Sequence, residues 1–171
     1  MTKFNQCSVD ELNENFSKLI GKRYALITVS DENSLNMMTA SWGSMGVMWN
    51  KNVVNIVVRP SRYTYNFLMN NNYFTLNFLT EGNEDIYRLC GTKSGRECDK
   101  VKETGLSPCK IDDSIYAFDE SEYVFVCKKI YSQKMRKECF VDGAYGDKMY
   151  PDGDVHTQFI AEVEKIYVKM G

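Results

Sequence analysis

The chain has 171 residues, 43% hydrophobic and 26% charged, the make-up of an ordinary globular protein long enough to bury a core as one domain over residues 1–171. Its 21 basic and 23 acidic side chains leave a formal charge of −2, which excludes an electrostatic footprint for nucleic acid or an anionic membrane surface. No apolar run follows Met1-Thr2-Lys3, and none approaches the length of a membrane span, so the expected location is the cytoplasm.

Ser8-Val9-Asp10-Glu11 has the pattern of a capping box. Val9, Leu12, Phe16, Leu19 and Ile20 then recur at helical spacing, which predicts an N-terminal helix ending at Gly21. Residues 24–29 and 53–58 are short apolar, β-branched runs bounded by polar residues and predict buried strands. Between them, residues 36–49 are rich in Met, Gly, Ser and Trp and read as strand interrupted by close backbone approaches. After Arg59-Pro60, Ser61 is placed to cap a short helix to about Asn70, with Tyr65, Leu68 and Met69 inward.

Asn70-Asn71-Asn72 breaks the chain before a strand over residues 73–79. Residues 86–90 and 99–104 read as short helical turns around the loop Gly91-Thr92-Lys93-Ser94-Gly95, and residues 123–131, 140–144 and 157–169 as later strands. In the last of these Phe159, Ala161, Val163, Lys165 and Tyr167 alternate with Ile160, Glu162, Glu164, Ile166 and Val168. Strands predominate, and few helices are long enough to cross between parallel strands. The fold class is therefore mainly β, an antiparallel barrel with peripheral helices.

Six cysteines, at positions 7, 90, 98, 109, 127 and 139, form no CxxC pair, and there is one histidine, so no metal site of the close-paired His/Cys kind is expected. Reduced structural thiols fit the expected compartment; Cys90 and Cys98, which flank the 91–95 loop, are the pair at which a redox role stays open. Neither GxGxxG after a strand nor GxxxxGK[ST] occurs. Any nucleotide must be held by side chains and strand-edge amides.

Thr39-Ala40-Ser41 are plain strand residues or, because they are small, a stretch of backbone that a planar ring can approach. Trp42 adjoins them and is a better candidate for a ring contact than Trp49. Arg59 and Arg62 are solvated residues at a proline turn or, with the hydroxyls of Ser61, Tyr63 and Thr64, a phosphate clamp. Lys93, Ser94, Arg96 and Lys100 form a second basic cluster, which is equally readable as an exposed loop. Any imidazole acid–base role falls on His156; Asp152 and Asp154 read as turn formers, and no Ser-His-Asp order favours hydrolysis.

Several of these segments, in order, are NMMTASWGSMGVMW, VRPSRYTYNFL, YFTLNFL, LCGTKSGRECDKVKETGL and YPDGDVHTQFIAEVEKIYVK. Together they resemble the flavin reductase-like, FMN-binding split-barrel family, flavoredoxins included, over nearly the whole chain. The resemblance implies an antiparallel split barrel of Greek-key type, with FMN close to the interface of a homodimer. It puts Met38, Thr39, Ala40, Ser41 and Trp42 around the flavin ring, and Arg59, Pro60, Ser61, Arg62, Tyr63 and Thr64 around the phosphate. Asn77, Ser94 and Lys100 join the cofactor contacts, and His156 borders the reactive face as the catalytic residue.

The activity so implied is an oxidoreductase that passes electrons from NADH or NADPH through FMN to a second flavin, a protein or a small molecule. The alternatives are a non-catalytic FMN electron carrier and a cofactor-free barrel that binds another phosphorylated ligand through Arg59 and Arg62. No metal, nucleic acid or membrane partner is expected.

Overall fold

The computed structural model describes residues 3–31, 34–112 and 115–170. In chain order the strands are β1 (Phe4–Cys7), β2 (Ala25–Ser30), β3 (Leu35–Ala40), β4 (Gly43–Met48), β5 (Lys51–Val58), β6 (Tyr73–Leu79), β7 (Pro108–Asp112), β8 (Ile115–Phe118), β9 (Ser121–Lys134) and β10 (Thr157–Lys169). The helices are α1 (Phe16–Lys18), which runs on into a wide turn over Leu19–Arg23, α2 (Tyr63–Asn70), α3 (Glu84–Thr92), α4 (Lys100–Thr104) and α5 (Gly143–Met149).

Seven strands follow the order β3-β2-β6-β9-β10-β5-β4 with every pairing antiparallel; β1 adds to the far end of β10, and β7 pairs with β8 as a separate hairpin. The ladder ends at β3 on one side and β4 on the other, so the sheet curls into a split barrel without closing. β10 is the spine: its first half pairs with β5, its last four residues pair with β1, and β9 runs along its other edge.

The barrel interior is aromatic at its centre. Phe78 lies 5.4 Å from Phe125, and Phe16 from α1 closes over both at 6.0 and 5.9 Å. Burying each such ring stabilises the fold by about 1.5–3 kcal/mol. Leu26, Met37, Leu79 and Phe118 form a second cluster under α3, on the opposite face of the same strands.

Several expectations change, among them Met69 on α2, which is exposed instead of inward. The capping box forms locally, Glu11 accepting from both the Ser8 amide and hydroxyl at 2.7 and 2.8 Å, yet no long helix follows it. Asn15 instead caps a new start, accepting from the Lys18 amide at 3.0 Å, and only Phe16–Lys18 is α-helical. Residues 140–144 are not a strand: Asp142 accepts from the amides of Ala144 and Tyr145 and starts α5. In β10 the pairing with β9 slips between Val163 and Lys165, so Ile166 joins Phe159, Ala161 and Val163 inside, while Tyr167 packs in a cluster on the other face.

The β3–β4 corner, at Ser41 and Trp42, sets the site. Gly43 follows because a Cβ there would lie 2.6 Å from Ile20 Cδ1 and 2.7 Å from the Asn55 carbonyl oxygen. The β4–β5 hairpin turns on Trp49 and Asn50, both with positive φ, at 53° and 56°.

Candidate functional site

The end of β3, the corner, the end of β5 and the start of β10 enclose a cleft of about 260 Å³. Met38, Thr39, Ala40, Ser41, Trp42, Arg59, Arg62 and His156 line it, so eight of the residues selected from sequence come together. Val57 completes the wall and was not foreseen, although its alternation along β5 puts it on one face with Asn55.

Most of these side chains are already fixed. Thr39 donates its hydroxyl to the Tyr87 carbonyl at 2.5 Å, which turns it toward α3. The half-buried Arg62 guanidinium donates to the carbonyls of Gly91 and Cys90 at 2.7 and 3.2 Å, satisfying the last turn of α3; burial holds its pKa below the usual range. Arg59 donates to the carbonyls of Asp154 and Met149 at 2.9 and 3.3 Å, with its guanidinium 5.1 Å over the Tyr150 ring. Ser41 and Trp42 pair in neither neighbouring strand ladder.

His156 is buried, 5.2 Å from the Trp42 ring, and its Nδ1 is 2.9 Å from the Tyr150 hydroxyl. Burial pushes its pKa down to about 4, the nearby Arg59 charge adds to this, and Asp154 opposes it. The imidazole is therefore neutral at physiological pH. Tyr150 was not selected from sequence, since its contact with His156 depends on how α5 docks.

Other selected residues lie outside this cleft. Pro60 belongs to the turn between the arginines, and Ser61 donates to the Asp154 carboxylate at 2.6 Å instead of capping α2. Thr64 is buried and accepts from Asn36 at 2.7 Å. Asn77 is fully buried, donating to Thr28 and Thr75 at 3.0 and 2.8 Å and accepting from Ser121 at 3.1 Å; it does not reach the cleft. Ser94 sits in the turn after α3, accepting from the Arg96 amide at 3.2 Å.

Lys100 is buried and donates to the carbonyls of Met37 and Cys90 at 2.9 and 3.1 Å. With Tyr63 and Phe67 of α2 it lines a separate, larger cavity of about 550 Å³. That cavity is bigger, while both guanidiniums and the imidazole line the smaller cleft.

All six cysteines are free, and burial holds both Cys90, at about 11, and Cys98 protonated at neutral pH. Among the described residues no cluster of His, Cys, Asp and Glu could hold a metal, and no helix is long and apolar enough to cross a membrane.

The flavin reductase like domain model matches residues 17–171, and the chain belongs to that family. Its fold is similar to an FMN-binding domain of a flavin reductases-like enzyme from Shewanella baltica (TM-score 0.70, 15% identity, covering 96% of this chain and 76% of that one). It is similar to flavoredoxin from Methanosarcina acetivorans (0.68, 18%, 85% and 68%) and to the Streptomyces globisporus NADH:FAD oxidoreductase SgcE6 (0.64, 16%, 86% and 78%). No curated protein matches the chain.

Proposed function

We propose that this chain is an FMN-binding oxidoreductase that takes hydride from NADH or NADPH and passes electrons through FMN to a second flavin, a protein or a small molecule, as a homodimer in the cytoplasm. The observation that carries this reading is the convergence of Arg59, Arg62, Trp42 and a neutral His156 on one cleft of a flavin reductase-like domain. Structural neighbours that include an FMN-binding domain, a flavoredoxin and an NADH:FAD oxidoreductase support FMN as cofactor and a nicotinamide as donor.

The donor set fits FMN. A guanidinium offers five N–H donors, so the carbonyls that Arg59 and Arg62 already hold leave others for phosphate oxygens. The corner amides of Ser41 and Trp42, outside both ladders, suit the polar edge of the ring. Asn55 Oδ1 is a buried acceptor without a partner, on the Val57 face of β5.

The cleft, at about 260 Å³, is smaller than the roughly 300–1,000 Å³ of complete small-molecule sites, so a second copy is expected to complete its wall. Exposed Val47, Met48 and Trp49 on the edge hairpin, beside Ile130 and Tyr131 of β9, supply an apolar surface for that contact.

Bound FMN supplies hydride acceptance and onward electron release. The arginines would hold its phosphate, the 39–42 backbone would set the ring, and His156 would border it.

The test is the absorption spectrum of the purified protein, with and without added FMN, then under anaerobic NADH or NADPH. Flavin absorbance that bleaches with nucleotide supports the reading. Bound flavin that does not bleach makes the chain a carrier, and a colourless protein that takes up no FMN overturns both.

A further inference from the structure

The Tyr150 hydroxyl and His156 Nδ1 are 2.9 Å apart and buried, and the proton between them can belong to either. If Nδ1 carried it, the phenol O–H would need another acceptor. Among the described residues the phenol oxygen makes no other hydrogen bond, so its proton would be buried unpaired at a cost of about 1–3 kcal/mol. If the phenol donates, both groups are satisfied. Nε2 makes no hydrogen bond within the described protein, and His156 lines the cleft, so a proton on Nε2 stays available to a ligand.

We propose that Tyr150 is a positioning residue: it donates to Nδ1 of His156, fixes the imidazole proton on Nε2, and so presents the cleft with a neutral hydrogen-bond donor instead of a base. The group this donor fits is an uncharged acceptor, a carbonyl or carboxamide oxygen of a bound ring.

The surroundings hold Tyr150 in this role. Burial keeps its phenol protonated, although the Arg59 charge acts in the other direction. Arg59 covers one side of the ring and bonds to the Met149 and Asp154 carbonyls on either side of the turn that carries it. Phe140 lies 5.9 Å from the ring and fills the space that a Cβ on Gly146 would occupy, at 3.0 Å. The imidazole stays neutral because it is buried beside Arg59, with Asp154 the opposing charge.

The identity of what the donor meets rests on the proposed flavin site; the proton's position does not. Because the chain has one histidine, long-range 1H–15N correlation of tag-free, 15N-labelled protein at neutral pH reads this imidazole alone. A protonated Nε2 and an unprotonated, hydrogen-bonded Nδ1 are expected. A protonated Nδ1, or an imidazolium, overturns the proposal.

In Tyr150→Phe the Nδ1 resonance should move toward that of a free imine nitrogen; a resonance that stays put also overturns it. With FMN bound, Tyr150→Phe should slow reduction by NADH or NADPH about tenfold while changing FMN affinity less than about threefold. His156→Gln, which keeps a donor near the Nε2 position, should retain more of the rate than His156→Ala; equal losses argue for a base. The expected tautomer in a protein that takes up no flavin would leave the hydrogen bond standing and remove the flavin reading.

Discussion

Arg62 donates to the Gly91 carbonyl across 2.7 Å and so joins the start of α2 to the last turn of α3. The same guanidinium lines the cleft, which gives it two separable roles. Arg62→Ala should lower stability by about 1.5–3 kcal/mol and weaken FMN binding roughly ten- to hundredfold, with riboflavin less affected. Urea denaturation of the apoprotein reads the first effect and titration with both flavins reads the second. Equal affinity losses for FMN and riboflavin would argue against phosphate contact.

Gly43 is required by close approach. Gly43→Ala forces a Cβ onto the Asn55 carbonyl, which belongs to the paired strand and cannot step aside as the Ile20 side chain can. A loss of about 1–3 kcal/mol in urea denaturation is expected. Gly46→Ala on the same strand meets nothing within 4 Å and serves as the control. Similar losses at both positions would mean that strand propensity, and not packing, governs the corner.

The sequence made β6 and β10 legible because runs such as Tyr73–Leu79 are β-branched, aromatic and cleanly bounded. β1 was not legible: its four residues acquire a partner only when Phe4 meets Lys169 at the other end of the chain. The start of α5 reads as the end of a strand over residues 140–144 because the helix's signal is the single cap Asp142 before glycine-rich, weakly patterned sequence. In the site, residues 38–42 and the arginines at 59 and 62 could be named because they fall in two short segments. Tyr150 could not, since its importance lies in one hydrogen bond that depends on how the turn between it and His156 folds back, and Thr64 and Lys100 look like ligands in sequence yet spend their polar atoms on Asn36, Met37 and Cys90.

The depressed pKa of His156 ties stability to pH. The folded imidazole titrates at about 4 and the unfolded one near 6.5, so between these values the unfolded chain binds a proton that the folded chain refuses. Stability from this group is complete above the unfolded value and falls as pH drops through the window, by about 1–2 kcal/mol once solvent screening is allowed for. Arg59 from the end of β5, Asp154 beside the histidine and Tyr150 after α5 face the ring, and Arg62 lies across the cleft. Comparing urea denaturation of the parent and His156→Gln at about pH 7.5 and about pH 5 isolates the contribution. The parent should lose more; parallel losses would show that His156 titrates normally.

Trp49 holds φ at 53°, an unfavourable angle for a bulky side chain, on an exposed hairpin tip 6.3 Å from Tyr131. Such strain is explained if the ring is needed at an interface. Trp49→Asn should relieve the turn and leave the monomer no less stable, while raising the dimer dissociation constant at least about tenfold. Light scattering and sedimentation over a dilution series read the assembly. A parent that is monomeric with FMN fully bound would refute the shared pocket.

Asn77 separates the family-based assignment from the geometry. The resemblance counts it among the cofactor contacts, but the side chain is fully buried and holds together Thr28, Thr75 and Ser121 from three strands. Thr75 in turn donates to the Tyr116 carbonyl at 2.8 Å, so the cluster also anchors the β7–β8 hairpin. Removing the amide by Asn77→Ala strands several buried hydroxyls and opens a cavity, for an expected loss of about 2–4 kcal/mol. The same variant, titrated with FMN at a temperature where it is still folded, should keep its affinity within about twofold, since it loses no contact in the cleft. Weakened FMN binding with unchanged stability would reverse the assignment and return Asn77 to the flavin site.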